Sequence, residues 1–338
     1  MQRSELAAKL GGTLHGDDGA VAALREPTDA TPDDASCVLR DKYLEAALKS
    51  DAGVLIVASG HQLERPHIRV LNIELAWIAL LDLFAPRLER CGIHPSAIIH
   101  PEATLEPDVQ IAANVSVARG ARVGRGSVIG AGSSIGEHAV IGADCQLYEN
   151  VTIRHHCTLG SRCLIQSGAV IGEDGYGFYR TPDAQHIRQA QIGTVVIGDD
   201  VEIGSNSVID RGTLTATTIG PRSKIGPACV IAHNSTVGAD VLMIGAVQLA
   251  GSMTIHNRAV LWGQVGSIGH LTIGEGAVVT AQSGISKNVP AGATWRGSPA
   301  QDIKTQLRLE ARFMALEEME RRLKALEQMI SNRQADGL

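Results

Sequence analysis

The sequence predicts a mainly β protein organised as a parallel β-helix, and three observations support this fold class. Aliphatic residues recur at every sixth position from Ile99 to about Ile285, with few breaks. Glycine often follows the aliphatic residue directly, as at Gly130 and Gly136. Aromatic residues make up only 3% of the chain, whereas aliphatic residues are plentiful. A strict short repeat of this kind predicts a solenoid whose core is a stack of small aliphatic side chains.

The six-residue repeat has a direct structural interpretation. A strand of two or three residues turns one aliphatic side chain inward, and a tight turn follows in which Gly, Asn or Asp accepts a positive φ. Three such strands close a triangular coil of about eighteen residues, and successive coils pair as parallel strands. An ordinary β-sandwich is the alternative, but simple alternation does not hold a six-residue phase over this distance.

Residues 1–95 lack the repeat and are predicted to form a small α/β domain. Apolar periodicity and helix-breaking residues predict three helices and one buried strand in this region. The helices are expected at residues 4–10, 41–50 and 74–84, and the strand at residues 53–57.

Residues 96–297 are predicted to form the β-helix, in which two interruptions break the repeat. The larger interruption, residues 172–193, contains the rare aromatics Tyr176 and Phe178. Solenoid insertions leave the wall as loops that often bind ligands, so we expect this loop to contact ligand or a neighbouring subunit. A polar excursion that contacts neither is the alternative. The smaller interruption is at residues 212–217.

Residues 298–338 are predicted to form a C-terminal helical extension that starts at Pro299. Its apolar residues recur at alternating spacings of three and four, a pattern typical of a coiled-coil seam. These residues are Leu309, Phe313, Leu316, Met319, Leu323, Leu326 and Ile330. A lone helix with such a stripe must bury it on a partner, and we expect the same helix of another subunit.

Composition excludes several classes of protein. The formal net charge of −6 argues against binding to nucleic acid. The chain has no apolar run of about eighteen residues, so we expect no transmembrane segment. None of the six cysteines forms a Cys-x-x-Cys pair, which argues against zinc and favours a cytoplasmic location. Cys145 and Cys163 lie eighteen residues apart and are predicted to fill the core rather than to form a disulfide.

His233 and Gly251 are the first candidates for chemistry. His233 follows the inward Ile231 by two residues, so it is expected at a corner of the coil, pointing outward, where it is either solvated or part of a site. Gly251 lies eighteen residues later and is predicted to stack beside it, with a backbone N–H open to ligand. An imidazole base takes the proton of an attacking nucleophile, and the N–H stabilises an oxyanion. The pair therefore predicts acyl transfer.

His270 is a further candidate, because it follows Ser267, where the repeat skips and the local register is expected to be disturbed. It lies thirty-seven residues beyond His233, one more than two coils, so the two imidazoles are offset along one face or meet across subunits. His155, His156 and His256 are predicted to be solvated or interfacial.

Several stretches carry a resemblance to a known family. They are Ile165-Gln-Ser-Gly, Gly172-Glu-Asp-Gly-Tyr-Gly-Phe, Val201-Glu-Ile-Gly-Ser-Asn, Ile209-Asp-Arg-Gly, Ile231-Ala-His-Asn, Leu249-Ala-Gly-Ser, Ile268-Gly-His and Gly297-Ser-Pro-Ala. Together they resemble the UDP-3-O-acylglucosamine N-acyltransferase family of lipid A biosynthesis, over nearly the whole chain. The resemblance implies that the β-helix is left-handed.

The resemblance also implies an activity and partners. It implies a homotrimer with active sites between subunits, and transfer of a 3-hydroxyacyl chain from acyl carrier protein to the 2-amine of a UDP-3-O-acylglucosamine. No metal or small cofactor is expected, since the thioester is already activated. By the match, His233 is the general base, Gly251 supplies the oxyanion N–H and His270 contacts substrate.

Further binding residues are expected in each region. Substrate contacts are expected from Tyr43, Arg40 and Asn72 in the N-terminal domain, where the uridine would bind, and from Tyr176 and Phe178 in the loop. Basic residues of the C-terminal helix, Lys304, Arg308 and Arg312, are expected to meet the acidic carrier protein.

The sequence departs from the family pattern at several positions. Cys37 replaces an aromatic residue, Arg40 replaces Asn, and Asp41 replaces Pro. Gly226-Pro227 replaces an Asp-Asn pair, so a carboxylate that could orient the imidazole is expected to be missing there. The alternatives left open are a different nucleotide amino sugar, a coenzyme A thioester as donor, and a non-catalytic trimeric scaffold.

Overall fold

The computed structural model describes residues 1–85 and 92–335, with side chains described to residue 330. The chain divides into two compact units, Met1–Glu89 and Arg90–Leu338. Each unit has its own core of buried aliphatic side chains. A further division of the second unit at residue 297 stays a prediction.

The first unit is a five-stranded sheet with three helices. The helices are α1 (Arg3–Lys9), α2 (Leu44–Leu48) and α3 (Ile73–Phe84), with a 3₁₀ turn at Asp41–Tyr43. The strands are β1 (Thr13–His15), β2 (Ala23–Leu24), β3 (Asp34–Cys37), β4 (Val54–Ala58) and β5 (His67–Val70), in the order β1-β5-β4-β3-β2. β1 is antiparallel to β5, and the other pairs are parallel. The predicted helices are found, although the one expected at 41–50 is shorter.

The predicted buried strand is β4, which is covered on both faces. Val54 and Ile56 pack with residues of α1 and α3. Leu55 and Val57 point to the opposite face and pack with Ala47 of α2. A continuous apolar run is what a strand buried on both faces requires.

The second unit is a β-helix with three parallel sheets, here called faces 1, 2 and 3. Face 1 consists of Thr104–Leu105, Arg122–Val123, Val140–Ile141, Thr158–Leu159, Thr194–Ile197, Ala216–Ile219, Thr236–Val237, Thr254–Ile255 and Thr272–Ile273. Face 2 consists of Gln110–Ile111, Val128–Ile129, Gln146–Leu147, Leu164–Ile165, Glu202–Ile203, Lys224–Ile225, Leu242–Met243, Val260–Leu261, Val278–Val279 and the hairpin Thr294–Gly297 and Ala300–Asp302. Face 3 consists of Ile98–Ile99, Ser116–Val117, Ser134–Ile135, Thr152–Ile153, Val170–Glu173, Val208–Asp210, Val230–Ile231, Gln248–Leu249, Gly266–Ser267 and Gly284–Ile285. The predicted fold class, a left-handed parallel β-helix with a small N-terminal α/β domain and a C-terminal helix, is confirmed.

The aliphatic residues of the repeat form the core of this unit. Ile135 pairs with Ile153 and Ile231 pairs with Leu249, in each case one coil apart. Almost all the inward aliphatics from Ile111 onward are buried. Stacking of like side chains on adjacent coils is therefore what fixes the register of the coils.

The turns between faces use the left-handed backbone region, as expected for Asn, Asp and Gly. Asn114, Asp144 and Asn150 have φ values of 57°, 56° and 57°. The corner between faces 3 and 1 is called the 3/1 corner, and the others are named in the same way.

Cys145 and Cys163, predicted as core residues, are buried free thiols.

Both interruptions of the repeat leave the β-helix at the 3/1 corner. The larger one, called here the long loop (residues 172–193), follows Val170–Glu173 and contains the hairpin Phe178–Arg180 and His186–Arg188. The smaller one, called the short loop (residues 211–215), connects Val208–Asp210 to face 1. These loops belong to successive coils, so the insertions are concentrated at one place on the solenoid.

The expectation of a disturbed register at Ser267 is only partly correct. Gly266 pairs with Gln248, and Ser267 pairs with Ile285, so the eighteen-residue spacing continues. One ladder hydrogen bond is replaced, because the Ala250 N–H donates to the Ser267 hydroxyl at 3.3 Å.

The C-terminal extension differs from the prediction of one helix starting at Pro299. Residues 294–302 form the hairpin of face 2, and the helices are α4 (Ile303–Met314) and α5 (Leu316–Ala335). They are separated at Ala315. The predicted apolar stripe, from Leu309 to Ile330, is exposed in the single chain. Among the described residues, no helix combines the length and apolar character needed to cross a bilayer.

Candidate active site

His233 lies at the 3/1 corner, where its imidazole fills the space between two glycines. A Cβ on Gly251 would lie 2.7 Å from His233 Cε1 and 2.8 Å from Nε2. A Cβ on Gly175, in the long loop, would lie 2.7 Å from His233 Cβ and 2.8 Å from Cδ2. Any larger residue at either position would displace the imidazole, so both glycines are required by this packing.

Gly251 presents an open backbone donor beside the imidazole. Its carbonyl accepts a hydrogen bond from the His270 N–H at 3.1 Å, and the next residue, Ser252, donates to the His233 carbonyl at 2.8 Å. Within the described chain, the Gly251 N–H itself donates no hydrogen bond. The stacking expected from the eighteen-residue spacing is thus present, and it puts an unused donor next to a ring nitrogen.

Asn234 contacts the other side of the imidazole. Its Nδ2 lies 3.1 Å from His233 Nδ1, and its Oδ1 accepts a hydrogen bond from the Thr213 N–H at 2.8 Å. Thr213 belongs to the short loop, and its hydroxyl donates to Gln191 of the long loop at 2.9 Å. A chain of hydrogen bonds therefore joins both loops to the histidine.

Asp210 is a buried carboxyl beside the same corner. It is 7% exposed. Burial, together with the negative charges of Glu173 and Asp174, raises the pKa of Asp210 to about 7. This carboxyl therefore titrates in the neutral range rather than near its ordinary value.

Arg211 fixes both ends of the long loop, although it is only 1% exposed. Its Nε donates to the carbonyl of Gly172 at 2.9 Å, and its Nη1 donates to the carbonyl of Gly193 at 3.3 Å. Asp174 lies 3.7 Å from the guanidinium, which offsets the burial of the charge. His155 Nε2 lies 2.6 Å from Nη1, and burial and Arg211 lower the pKa of this histidine.

Sequence reasoning missed four of these residues as parts of the site: Gly175, Asp210, Arg211 and Asn234. A signal was present, because Ile209 is the inward aliphatic of the repeat that is followed directly by two charged residues, Asp210 and Arg211. His155, expected to be solvated or interfacial, instead pairs with Arg211. His156 stacks on His138 of the preceding coil, with ring centroids 5.2 Å apart. Both histidines lie at the 3/1 corner.

The other predicted contacts of this unit are placed as follows. His270 has φ 61° and is exposed, two coils beyond Asn234 on the 3/1 corner. Tyr176 and Phe178 are 88% and 45% exposed and contact each other edge to face at 4.9 Å. Gly226-Pro227 lies at the 2/3 corner, so in this chain a carboxylate there would belong to a different corner from His233.

Tyr43 lines a cavity of about 650 Å³ in the first unit. Cys37, Leu39, Trp77 and Leu81 also line it, and burial raises the pKa of the Cys37 thiol to about 12. The cavity is therefore mainly apolar, with an aromatic wall.

Arg40 and Asn72 do not line this cavity. Arg40 is exposed just before the 3₁₀ turn. The Oδ1 of Asn72 accepts a hydrogen bond from the Leu75 N–H at 2.9 Å and so caps α3. The structure thus gives Asn72 a structural contact and leaves its predicted contact with substrate untested.

The three predicted basic residues lie four residues apart along α4 and are exposed. They are Lys304, Arg308 and Arg312. None of them forms an ion pair within the part of the chain that is described. This face of α4 is therefore a cationic surface without an internal counter-charge.

Curated relatives of this chain are named as acyltransferases. A UDP-3-O-acylglucosamine N-acyltransferase of Thermosynechococcus vestitus is 42% identical over 334 residues, covering 97% of this chain and 98% of that protein. The relative of the same name in Methylobacterium nodulans is 41% identical over 145 residues, covering 43% of this chain and only 41% of that protein. The model for the GMPPB C-terminal domain matches residues 88–174.

A solved structure supports the fold. Arabidopsis UDP-N-acetylglucosamine acyltransferase is 22% identical, covers 62% of this chain and 73% of its own, and has a TM-score of 0.55. At this identity the likeness concerns the fold alone.

Proposed function

The chain belongs to the UDP-3-O-acylglucosamine N-acyltransferase family, and from this we propose that it transfers a 3-hydroxyacyl chain from acyl carrier protein to the 2-amine of a UDP-3-O-acylglucosamine. The observation that carries the proposal is the His233 imidazole packed beside the open N–H of Gly251. This pair supplies the base and the oxyanion donor that amide formation from a thioester needs.

The proposed reaction uses the two residues in sequence. The amine nitrogen attacks the thioester carbonyl carbon, and the Gly251 N–H stabilises the negative charge that develops on the carbonyl oxygen. His233 accepts a proton from the amine nitrogen. The carbon–sulfur bond then breaks, and the proton passes to the leaving thiolate. Gly175 and Gly251 restrict the ring to one position, which contributes by orientation.

The proposed uridine site is the cavity of the first unit. Tyr43 offers an aromatic face for stacking on the base. Arg40 and Asn72 are proposed to contact the substrate as well. A Tyr43→Ala variant should raise the KM for the UDP-sugar with little change in kcat. An unchanged KM would remove this cavity from the proposal.

The proposed carrier-protein site is the unpaired basic face of α4. Opposite charges on two proteins raise the rate at which they associate, and they have little effect on the chemical step that follows. A triple Ala variant at Lys304, Arg308 and Arg312 should raise the KM for the carrier-protein thioester, and added salt should weaken the wild type in the same way. The rate with a small pantetheine thioester should not change.

We further propose a cytoplasmic homotrimer. The exposed apolar stripe of α4 and α5 has the spacing of a coiled-coil seam and is most simply covered by the same helices of other subunits. The free thiols of the described cysteines support a reducing compartment. Sedimentation should give a mass of about three times 35.6 kDa, and Phe313→Glu should lower it.

The test of the activity is product formation from defined substrates. The protein is incubated with UDP-3-O-acylglucosamine and either a 3-hydroxyacyl carrier protein or the matching coenzyme A thioester, and the amide is measured by mass spectrometry. Amide from the carrier-protein thioester supports the proposal. A preference for the coenzyme A thioester would change the donor, and a folded trimer with no product from either donor would reject the acceptor.

A further inference from the structure

The hydrogen bonds of Asn234 fix the orientation of its side-chain amide. The Thr213 N–H can only donate, so the atom 2.8 Å from it must be the acceptor Oδ1. The remaining amide atom, Nδ2, therefore faces His233 Nδ1 at 3.1 Å. A turned amide would place two donors against each other at Thr213.

A second set of contacts leads to the same orientation. Gln191, which is 7% exposed, uses its Nε2 to donate to the Gln189 carbonyl at 3.3 Å. Its Oε1 is left to accept the hydrogen of the Thr213 hydroxyl at 2.9 Å. That hydroxyl then offers a lone pair to Asn234 Nδ2 at 3.2 Å. Nδ2 has two hydrogens, one for Thr213 Oγ1 and one for His233 Nδ1.

We infer that Asn234 is a positioning residue that holds neutral His233 as the tautomer with its proton on Nε2. Nδ1 accepts the hydrogen bond from Asn234, so the single ring proton must be on the other nitrogen. Nε2 is also the ring nitrogen nearer to Gly251, since a Cβ there would lie 2.8 Å from Nε2 and 3.1 Å from Nδ1. This inference rests on the proposed function only where it concerns the base.

The tautomer has a consequence for the proposed reaction. A base that accepts a proton at Nε2 must carry its own ring proton on Nδ1. Asn234 must then present Oδ1 to His233, and its Nδ2 would face the Thr213 N–H. The short loop must move to relieve that contact, so the arrangement of hydrogen bonds around Asn234 keeps Nε2 from acting as a base. Gln191 connects the same movement to the long loop.

The decisive variant is Asn234→Asp, because a carboxylate can only accept. One oxygen keeps the Thr213 N–H, and the other requires a donor at His233 Nδ1. The proton should therefore move to Nδ1. Asn206→Asp is the matched control, since Asn206 also has a positive φ of 57° at a corner but lies at the 2/3 corner.

The experiment is magic-angle-spinning ¹⁵N NMR of the full-length protein labelled at histidine, at about pH 9, where imidazole is neutral. The His233 signals are identified by their loss in His233→Ala. We expect the Nε2–H tautomer in the wild type and in Asn206→Asp, and the Nδ1–H tautomer in Asn234→Asp. An Nδ1–H tautomer in the wild type, or an unchanged tautomer in Asn234→Asp, would overturn the inference.

Amide formation is measured in parallel on the same samples. Absence of product with the expected tautomers would reject the proposed function and leave the role of Asn234 intact. If the wild-type protein forms product but carries the Nδ1–H tautomer, the proposed function is supported and the inferred role of Asn234 is rejected.

Discussion

The 1/2 and 3/1 corners of the β-helix are built from the same repeat but differ in how their polar groups are used. At the 1/2 corner, arginines and carboxylates alternate between coils: Arg162 pairs with Asp200 at 2.7 Å, and Arg222 pairs with Asp240 at 2.7 Å. At the 3/1 corner, two loops interrupt the repeat and an unused N–H lies beside His233. The first corner pairs these charged side chains with each other, whereas the second leaves a backbone donor available to a ligand.

The difference shows how a regular solenoid carries a site. Paired charges on an exposed corner contribute little to stability, and they keep the wall soluble and its coils aligned. The 3/1 corner instead buries Arg211 and Asp210, and the hydrogen bonds of Arg211 hold both ends of the long loop. Changes at the two corners should therefore have different effects on activity and on pH dependence.

Among changes that leave His233 itself in place, the largest expected effect at the 3/1 corner is that of Gly251→Ala. The added Cβ would lie within about 3.1 Å of three imidazole atoms, so the ring must shift. A displaced catalytic group lowers kcat by about 10²-fold. Gly263→Ala is the control, because its Cβ would meet nothing closer than 3.4 Å. If both variants kept wild-type kcat, the packing of His233 on Gly251 would have no catalytic role.

The second prediction concerns stability, which should change with pH in opposite directions for carboxylates at the two corners. The pKa of Asp210 is raised to about 7, so its contribution to stability is present below its ordinary value and is lost as pH rises through about 7. Asp210→Asn removes the titrating group with little change in the size of the side chain. The variant should therefore show a flatter fall in thermal midpoint between about pH 4 and pH 8.

The matched variant on the 1/2 corner should act in the opposite direction. The hydrogen bond from Arg222 lowers the pKa of Asp240, so its contribution is present above the ordinary value and is lost as pH falls. Asp240→Asn should therefore be slightly less stable than the wild type at neutral pH, and this difference should disappear in acid. The same thermal melts across pH test both variants, and identical pH profiles for the two would contradict the contrast between the corners.

The smallest expected effect is that of Arg222→Ala. Its side chain is 56% exposed and pairs with Asp240 on the surface. Exposed pairs contribute little, so kcat should be unchanged and the thermal midpoint should stay within about 2 °C of the wild type. A large loss of activity would show that the 1/2 corner also contributes to the site.

The fold could be predicted because the repeat is local. Each inward aliphatic, such as Ile135 or Ile231, repeats the same constraint one coil later, and the eighteen-residue spacing alone brings Gly251 beside His233. The expected disturbance of register at Ser267 was largely wrong, because a polar residue at one inward position leaves the length of the coil unchanged.

The rest of the site could not be predicted because it depends on chain paths outside the repeat. Gly175 reaches His233 only through the fold of the long loop, and Thr213 reaches Asn234 only through the short loop. The role of Arg211 depends on carbonyls at both ends of the long loop, which sequence spacing does not bring together. The break between α4 and α5 at Ala315 likewise has no marker in the apolar stripe.

The most direct test of the account is the single-turnover rate of amide formation with saturating UDP-3-O-acylglucosamine and 3-hydroxyacyl carrier protein. Wild type is compared with His233→Ala and with His256→Ala, an exposed histidine on the 1/2 corner. We predict a fall of about 10²- to 10⁴-fold for His233→Ala and no change for His256→Ala. A folded His233→Ala protein that forms amide at the wild-type rate would contradict the assignment of the base and of the 3/1 corner as the active site.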